Sequence, residues 1–281
     1  MKISIITVCF NAKDTIEQTF ISLTNQTYKN IEHIVIDGVS TDGTLDVINK
    51  YTASITHFVS EPDTGIYNAM NKGLKYATGD IVYFLNATDS LYDEKVFEKV
   101  VNEFEKYSDL EMIWGDIKFI EVGKEPRIYK NNCFKTKNDF LYNNPCHQAI
   151  FYKNELFKKY GNYDEDIKIF GDYDLNVRMV VTNNARCKYV PEIIASFEIG
   201  GISTSSDDKV KLLHKADRLK VFNKNFKHKF HFRADKFITK NFGTIVRVAK
   251  NNLLCKKMFD LTDRASRLIF KESLSLNIIN N

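Results

Sequence analysis

Cysteine is sparse in this sequence and is nowhere closely paired along the chain. The five cysteines are widely scattered and include no Cys-x-x-Cys pair. An odd, dispersed set argues against a disulfide framework and against a structural zinc site. We therefore expect reduced thiols in a cytosolic protein.

Long apolar runs are missing as well. No stretch approaches the roughly 18 consecutive apolar residues that a membrane-spanning helix needs. The apolar residues 1–10 lead directly into the polar residues 11–14, without the small-residue cleavage site of a signal peptide. The apolar fraction of 43% is nevertheless ample for a large globular core.

Charge is distributed unevenly along the 281 residues. Residues 1–206 carry 22 Lys and Arg against 29 Asp and Glu, whereas residues 207–281 carry 18 against 7. The net charge of +4 therefore hides an acidic first part and a strongly basic second part. The first part is typical of an enzyme domain, and the second indicates a segment that binds an anionic partner.

Hydrophobic patterns predict alternating strands and helices over the first 110 residues. Short β-branched runs predict buried strands at 3–8, 31–36, 57–59 and 81–85, and helical periodicity lies between them at 16–24, 44–51 and 65–77. This alternation predicts an α/β fold with a parallel sheet. The later pattern is less regular, with a strand at 111–117, helices at 154–160 and 172–181, and a basic helical segment from about 207.

Polar side chains follow each of the four predicted strands. They are Thr7 and Asn11 after the first, Asp37 after the second, Glu61 and Asp63 after the third, and Asn86 and Asp89 after the fourth. The carboxyl ends of parallel strands meet at one edge of a sheet, where α/β proteins bind ligands. The sequence therefore predicts a polar ligand site at this edge.

Eight short motifs carry a resemblance to a known family. They are SIITVCFNA (4–12), IDGVSTDGT (36–44), SEPDTGIYNAMNKG (60–73), GDIVYFLNATDS (79–90), WGDI (114–117), PCHQAIF (145–151), GDYDLNVRM (171–179) and GGIS (200–203). With these motifs in this order, the chain resembles family 2 glycosyltransferases. It is similar to the branch that builds bacterial capsule, exopolysaccharide or lipopolysaccharide.

The resemblance implies a GT-A fold, which is a Rossmann-like, mostly parallel sheet flanked by helices. Residues 1–206 would form the catalytic domain, with a nucleotide-binding half at 1–110 and an acceptor-binding half at 111–206. Residues 207–281 would form a basic helical C-terminal extension. Such enzymes transfer a sugar from a nucleotide-diphosphate sugar with inversion at the anomeric carbon, and the resemblance implies a UDP-sugar as the donor here.

The same resemblance implies a divalent cation, Mn²⁺ or Mg²⁺, at the motif Asn86-Ala87-Thr88-Asp89. Asn and Thr stand at two positions that are often Asp in the family, so Asp89 is the expected metal ligand. One carboxylate is sufficient for magnesium, which keeps several waters and binds substrate phosphates. The alternative is that Asp89 only caps a helix that begins at the next residue.

Asp172 in Gly171-Asp172-Tyr173-Asp174 matches the family's acidic motif and is the expected catalytic base. Asp172 lies near the start of a predicted helix, where the helix dipole favours the ionised form of a carboxyl. Gly171 stands where the family often has Glu. The alternatives are that Asp172 is only an N-cap and that Asp174 is only a solvated acid of the first turn.

The remaining expected contacts bind the nucleotide sugar. They are Thr7, Phe10, Asn11, Asp37, Asp63, Tyr67, Lys72, Asn86, Ala87 and His147. The resemblance implies that residues 7, 10 and 11 meet the base and ribose, and that Asp37 accepts a hydrogen bond from the base. Lys72 could instead face solvent, and His147 could be an ordinary core or surface histidine.

The basic extension interleaves cations with aromatic and aliphatic residues, as interfacial helices do. We expect an enzyme that acts on a glycan or lipid-linked glycan in the cytoplasm, with residues 207–281 at the anionic inner face of the membrane. The alternative is that this segment packs on the catalytic domain or on a second subunit of a homo-oligomer. No recognised nucleic-acid-binding motif occurs, so we expect no nucleic acid partner.

Two other functions fit the same architecture. A catalytically silent nucleotide-sugar-binding or scaffold protein would account for the altered motif at 86–89. A nucleotidyltransferase would need a glycine-rich, basic phosphate loop after the first strand. The residues at that place, Cys9-Phe10-Asn11-Ala12, form no such loop.

Overall fold

The computed structural model describes residues 1–121, 123–132, 134, 139–198 and 207–226. The strands are β1 (Ile3–Cys9), β2 (Ile31–Asp37), β3 (His57–Ser60), β4 (Ile81–Phe84), β5 (Asp89–Leu91), β6 (Met112–Ile120), β7 (Arg127–Tyr129), β8 (Ile150–Lys153) and β9 (Cys187–Glu198). The helices are α1 (Ile16–Thr24), α2 (Thr44–Lys50), α3 (Ile66–Leu74), α4 (Val96–Lys106), α5 (Asp139–Tyr142), α6 (Glu155–Tyr160), α7 (Gly171–Asn176) and α8 (Asp208–Phe226). A π-helical turn, Val177–Thr182, continues α7.

Within the described residues, the nine strands form one sheet. Its order is β3-β2-β1-β4-β8-β6-β9-β5, with β7 paired to β6. The first four strands are parallel, as predicted, and the long β6–β9 pairing is parallel too. Strands β5, β7 and β8 run antiparallel to their neighbours, so the second half is mixed. The predicted α/β fold with a mostly parallel sheet is confirmed.

The core joins residues of 1–110 to residues of 111–206. On one face of the sheet, Ile6 and Val82 belong to the same buried cluster as Trp114 and Leu175. On the other face, Tyr83 stacks on Phe151 with ring centroids 4.2 Å apart. Strand β4 therefore packs directly against elements of the second half. No helix in the described part of the chain is long and apolar enough to cross a membrane.

A buried carboxylate ties the amino ends of β1 and β2 to the turn before β4. The side chain of Glu32 accepts hydrogen bonds from the Ser4 hydroxyl at 2.5 Å, from the Thr78 amide at 2.6 Å and from the Gly79 amide at 3.0 Å. It also pairs with the Lys2 ammonium at 2.5 Å. Burial alone would raise the pKa of Glu32, but these donors outweigh it and lower the pKa to about 2.

The basic extension begins as a helix, as its pattern predicted. Helix α8 packs on the preceding part of the chain through Val221, which is buried against Ile167, Tyr173 and Val177. For residues 208–226, packing on residues of 1–206 is thus the observed arrangement. Residues 227–281 and the motif at 200–203 lie outside the described residues, and so does the rest of the predicted membrane-binding segment.

Candidate active site

The loops after β1 and β2 are joined by hydrogen bonds at the carboxyl edge of the sheet. The Asn11 amide donates to the Ser40 hydroxyl at 2.8 Å, and the Asn11 side-chain oxygen accepts from the Thr41 amide at 2.9 Å. Asn11 has a positive φ of 49°, a conformation that asparagine tolerates better than most residues. The predicted binding residue Asn11 therefore shapes this edge, and its side-chain oxygen is engaged within the protein.

Asp37 holds the loop after β2 at the same edge. Its fully buried carboxylate accepts from the backbone amides of Val39 and Ser40, each at 3.0 Å, and from the Ser60 hydroxyl at 2.6 Å. Because it has no solvent-exposed surface, the carboxylate is not accessible to a nucleotide in this conformation. Its predicted contact with the base stays a prediction, and the observed contacts hold the loop from Gly38 to Ser40.

Phe10, Gly38 and Asp63 lie close together at this edge. A Cβ atom added at Gly38 would lie 2.7 Å from an Asp63 carboxylate oxygen and 3.3 Å from the Phe10 ring. A side chain at position 38 would therefore collide with Asp63 and crowd Phe10. Phe10 itself is 63% exposed, which leaves a large aromatic face at the surface. Such a face can stack on a planar base.

Lys72 supports the loop that carries Asp63. Its ammonium donates to the Pro62 carbonyl at 2.6 Å and pairs with Glu61 at 2.9 Å. The side chain is only 14% exposed, so the solvent-facing alternative is wrong. Asp63 in turn accepts a hydrogen bond from the Gly65 amide at 2.8 Å. These contacts fix the turn that leads into α3.

Two predicted binding residues point into the core instead of the edge. The Thr7 side chain is fully buried, and its hydroxyl lies 3.0 Å from the His33 ring. Ala87 is buried in a cluster with Ile16 and Phe20. The structure therefore does not bring these two side chains together with the others.

Several buried polar atoms in and next to the altered acidic motif have no hydrogen-bond partner. They are the Asn86 side-chain oxygen, both carboxylate oxygens of Asp89 and Nδ1 of His147. The Asn86 amide nitrogen lies 3.3 Å from His147 Nε2. Buried polar atoms in folded proteins are nearly always paired, so such a group calls for an external partner.

Asp89 lies in strand β5 and not at a helix start, so the capping alternative is wrong. Burial raises its pKa to about 8, and the nearby Gln148 side chain offsets this only in part. Burial likewise lowers the pKa of His147 to about 4, so this ring is neutral near pH 7. If the Asn86 amide donates to Nε2, the ring carries its proton on Nδ1 and offers a free donor.

Asp172 is the second residue of α7, and Phe170 is the N-cap, so the capping alternative is wrong here too. Its carboxylate accepts from the Asn144 amide at 2.7 Å and, more weakly, from the Tyr67 hydroxyl at 3.4 Å. Burial raises the pKa of Asp172 to about 6 despite these donors. The helix dipole is thus outweighed, and the carboxyl titrates near neutrality.

The segment from Asn144 to His147 contacts both Asp172 and the motif at 86–89. The Asn144 side-chain nitrogen lies 2.7 Å from an Asp172 carboxylate oxygen, and His147 Nε2 lies 3.3 Å from the Asn86 amide nitrogen. Cys146, within this segment, has its pKa raised to about 12, first by burial and then by the charges of Asp172 and Asp89. The structure thus brings Asn86, Asp89, His147 and Asp172 to one region, and Tyr67 borders it.

Sequence reasoning missed the residues that hold Asp172. The Asn144 side-chain oxygen accepts from the Asn176 amide at 2.7 Å, and the Asn176 oxygen accepts from the Tyr152 hydroxyl at 2.8 Å. This chain fixes the orientation of the Asn144 amide, whose nitrogen then faces Asp172. The only sequence signal for Asn144 was its position directly before the motif at 145–151.

The oxygen atoms around Asp89 fit a divalent cation. In the described part of the chain, no group of three or more His, Cys, Asp or Glu residues could hold a metal. The unpartnered oxygens of Asp89 and Asn86 are nonetheless the hard ligands that magnesium and manganese accept, with waters and phosphates as the others. A site with one carboxylate and one amide suits a cation that arrives with a phosphorylated substrate.

Comparison with known proteins assigns the chain to a family. The model for glycosyl transferase family 2 matches residues 4–161. The chain belongs to glycosyl transferase family 2. One relative is the PGL/p-HBAD biosynthesis glycosyltransferase of Mycobacterium tuberculosis, 30% identical over 224 residues that cover 78% of this chain and 86% of the relative.

Solved structures share the fold of this glycosyltransferase. Staphylococcus aureus TarS 1–349 in complex with UDP-GlcNAc superposes with a TM-score of 0.65 at 18% identity, covering 86% of this chain and 73% of that chain. The mannosyltransferase PcManGT of Pyrobaculum calidifontis, in complex with GDP-Man and Mn²⁺, gives 0.60 at 17% identity, covering 95% and 80%. At these identities the likeness shows the GT-A fold alone.

Proposed function

We propose that this glycosyltransferase moves a sugar from a UDP-sugar to a glycan or lipid-linked glycan acceptor with inversion, using Asp172 as base. The observation that carries this proposal is the convergence of Asp172 with the unpartnered atoms of Asn86, Asp89 and His147. A displacement reaction needs a proton acceptor and a separate site for the leaving diphosphate. In this proposal Asp172 is the proton acceptor, and Asn86, Asp89 and His147 form the site for the diphosphate.

The donor pocket follows from the edge of the sheet. The exposed Phe10 ring offers a stacking face for the base, and Gly38 lies directly beside it. We assign the uracil base to this face. A nucleotide stacked there would have its diphosphate directed along the edge toward residues 86–89, because the ends of β1 and β4 are adjacent in the sheet.

Asp89 and the Asn86 oxygen would hold Mn²⁺ or Mg²⁺ at the diphosphate. A bound cation neutralises the charge of the leaving group. In this proposal the neutral His147 ring donates its Nδ1 proton to a phosphate oxygen. Together these side chains favour departure of the nucleoside diphosphate.

Asp172 would accept the proton of the acceptor hydroxyl. With a pKa of about 6, the carboxyl is mostly ionised at pH 7 and still basic enough to take a proton in the transition state. This property supports transfer over a silent binding protein. We treat residues 1–110 as the donor half and 111–206 as the acceptor half.

The proposed acceptor and location of the enzyme rest on the basic C-terminal extension. This extension would bring the enzyme to a membrane surface, which supports a lipid-linked acceptor. Residues 207–281 carry 18 Lys and Arg against 7 Asp and Glu, a balance that attracts an anionic membrane surface. Co-sedimentation of the full chain with anionic vesicles tests this, and absence of binding at low salt contradicts it.

The deciding experiment is a donor screen with purified protein. UDP- and GDP-sugars are supplied with Mn²⁺, Mg²⁺ or chelator, and release of nucleoside diphosphate and binding by calorimetry are recorded. We expect metal-dependent turnover with a UDP-sugar, and loss of metal dependence and most activity in Asp89→Asn. Binding without turnover in every arm would favour the silent protein, and binding of no nucleotide would reject the proposal.

A further inference from the structure

Helix α8 lies beyond the segment matched by the family model, yet it touches the residues that lead to Asp172. Asp217 of α8 is fully buried. One of its carboxylate oxygens accepts from the backbone amides of Lys168 at 2.8 Å and Ile169 at 2.7 Å. The other lies 3.8 Å from the Lys220 ammonium.

A buried carboxylate is costly unless it is well paired, and here it is paired mainly by main-chain donors. The segment 164–170 has no regular helix or strand to satisfy its amides. Asp217 therefore supplies the partner that this segment lacks. Removal of the carboxylate would leave two backbone amides without an acceptor.

Ile169 is also held through its carbonyl by a residue of α3. The Ile169 carbonyl accepts from the Tyr67 hydroxyl at 2.5 Å, and that hydroxyl lies 3.4 Å from Asp172. Only Phe170 and Gly171 separate Ile169 from Asp172 along the chain. The position of the carboxylate thus depends on a peptide clamped between α8 and α3.

Helix α8 also holds α7 after Asp172. The buried carboxylate of Asp174 accepts from the Lys224 ammonium and the Asn225 amide, each at 3.0 Å, and from Arg178 at 2.8 Å. Asp174 is therefore not a solvated acid of the first turn, and that alternative is wrong. Contacts from α8 lie on both sides of Asp172.

From these contacts we propose that α8 is a working part of the active site and that Asp217 is a positioning residue for Asp172. This inference rests on the proposed function. Asp217 acts through the peptide at Ile169 and the Tyr67 hydroxyl and does not touch substrate. The nineteen residues of α8 would then contribute to catalysis, independently of what the later residues of the basic extension bind.

The test compares Asp217→Ala, Asp217→Asn and Lys211→Ala in the full chain. Lys211 is the matched control, because it is exposed on the same helix and pairs only locally, with Asp208. In Asp217→Ala we expect kcat to fall about 10- to 100-fold, the loss that a small misplacement of a reacting group causes. KM for the donor and binding of UDP should stay within about twofold, since Phe10 and Gly38 are untouched.

Asp217→Asn keeps one acceptor oxygen but loses the charge, so it should recover only part of the lost kcat, and Lys211→Ala should match the wild type. A second measurement is a double-mutant cycle of Asp217→Asn with Tyr67→Phe, which stays usable if Asp217→Ala does not fold. Coupled effects on kcat support the clamp. Additive effects, or a folded Asp217→Ala with wild-type kcat, overturn it. Failure of the wild type to turn over any donor would instead reject the proposed function.

Discussion

The side-chain nitrogen of Asn144 lies 2.7 Å from a carboxylate oxygen of Asp172. It favours the charged form of the carboxylate against the effect of burial. Asn144→Ala should therefore raise the pKa of Asp172 above its present value of about 6 and move the acid limb of the kcat profile to higher pH. The rate at pH 7 should fall about tenfold, as expected when a hydrogen bond to a charged group is lost.

The matched control for this change is Asn143→Ala, because Asn143 is exposed and adjacent to Asn144. Its pH profile should coincide with that of the wild type. An unshifted acid limb in a folded Asn144→Ala protein would show that this hydrogen bond does not control Asp172.

Asp172→Asn should abolish transfer and leave nucleotide binding intact. Removal of a general base costs about 10²- to 10⁴-fold in rate. The proposed stacking face for the nucleobase, on Phe10, belongs to a different element. Turnover is measured with saturating donor and binding by calorimetry. Turnover near that of the wild type would remove the assignment.

The wild-type rate should depend on pH in the direction set by Asp172. Its pKa is raised to about 6, so the carboxyl becomes protonated and unable to accept a proton as the pH falls through this value. We expect kcat to be nearly constant above pH 7 and to decline about tenfold per unit well below pH 6. A profile that stays flat down to pH 5 would contradict this expectation.

Gly171→Ala should disturb the site through Tyr67. A Cβ atom at position 171 would lie 2.6 to 2.8 Å from three atoms of the Tyr67 ring. Overpacking of this kind costs about 1–3 kcal/mol of unfolding free energy. Thermal unfolding of Gly171→Ala, Tyr67→Ala and the double variant measures it. The cost of Gly171→Ala should shrink when the ring is absent, and equal cost in both backgrounds would argue against the clash.

Glu32→Gln should lower the free energy of unfolding at neutral pH and make this free energy less dependent on pH. The pKa of Glu32 is lowered to about 2 in the folded chain, so its contribution is present above the ordinary value near 4.5 and is lost as the pH falls toward 2. We expect a loss of about 1–3 kcal/mol at pH 7 that shrinks by pH 3. Urea unfolding at both pH values measures it, with exposed Glu94→Gln as control.

The sequence predicted the elements whose signals are local. Strands β1 to β4 carry strong β-branched runs, and their common direction follows from the helices between them. This is why Asn11, Asp63 and Asp89 could be assigned to one edge from the sequence alone, whereas Phe10 was assigned through the resemblance. Asp172 was found only through the resemblance of its motif, since nothing in its local pattern distinguishes it from other helical acids.

Side-chain direction was the main thing that the sequence did not reveal. Thr7 and Asp37 lie at the predicted strand ends, but Thr7 contacts His33 and Asp37 is enclosed by its own loop. Asn144 and Asp217 reach the site through contacts with residues 28 and 48 positions away. Such contacts depend on how irregular segments pack, which hydrophobic periodicity does not encode.

The shared sheet has a consequence for how the enzyme must move. Strand β8 is hydrogen-bonded to β4 on one side and to β6 on the other, so backbone ladders span the boundary between the halves. A hinge there would require breaking these ladders, unlike in enzymes whose lobes swing about a linker. We therefore expect the sheet to stay intact during turnover, and any movement that accompanies substrate binding to occur outside its strands.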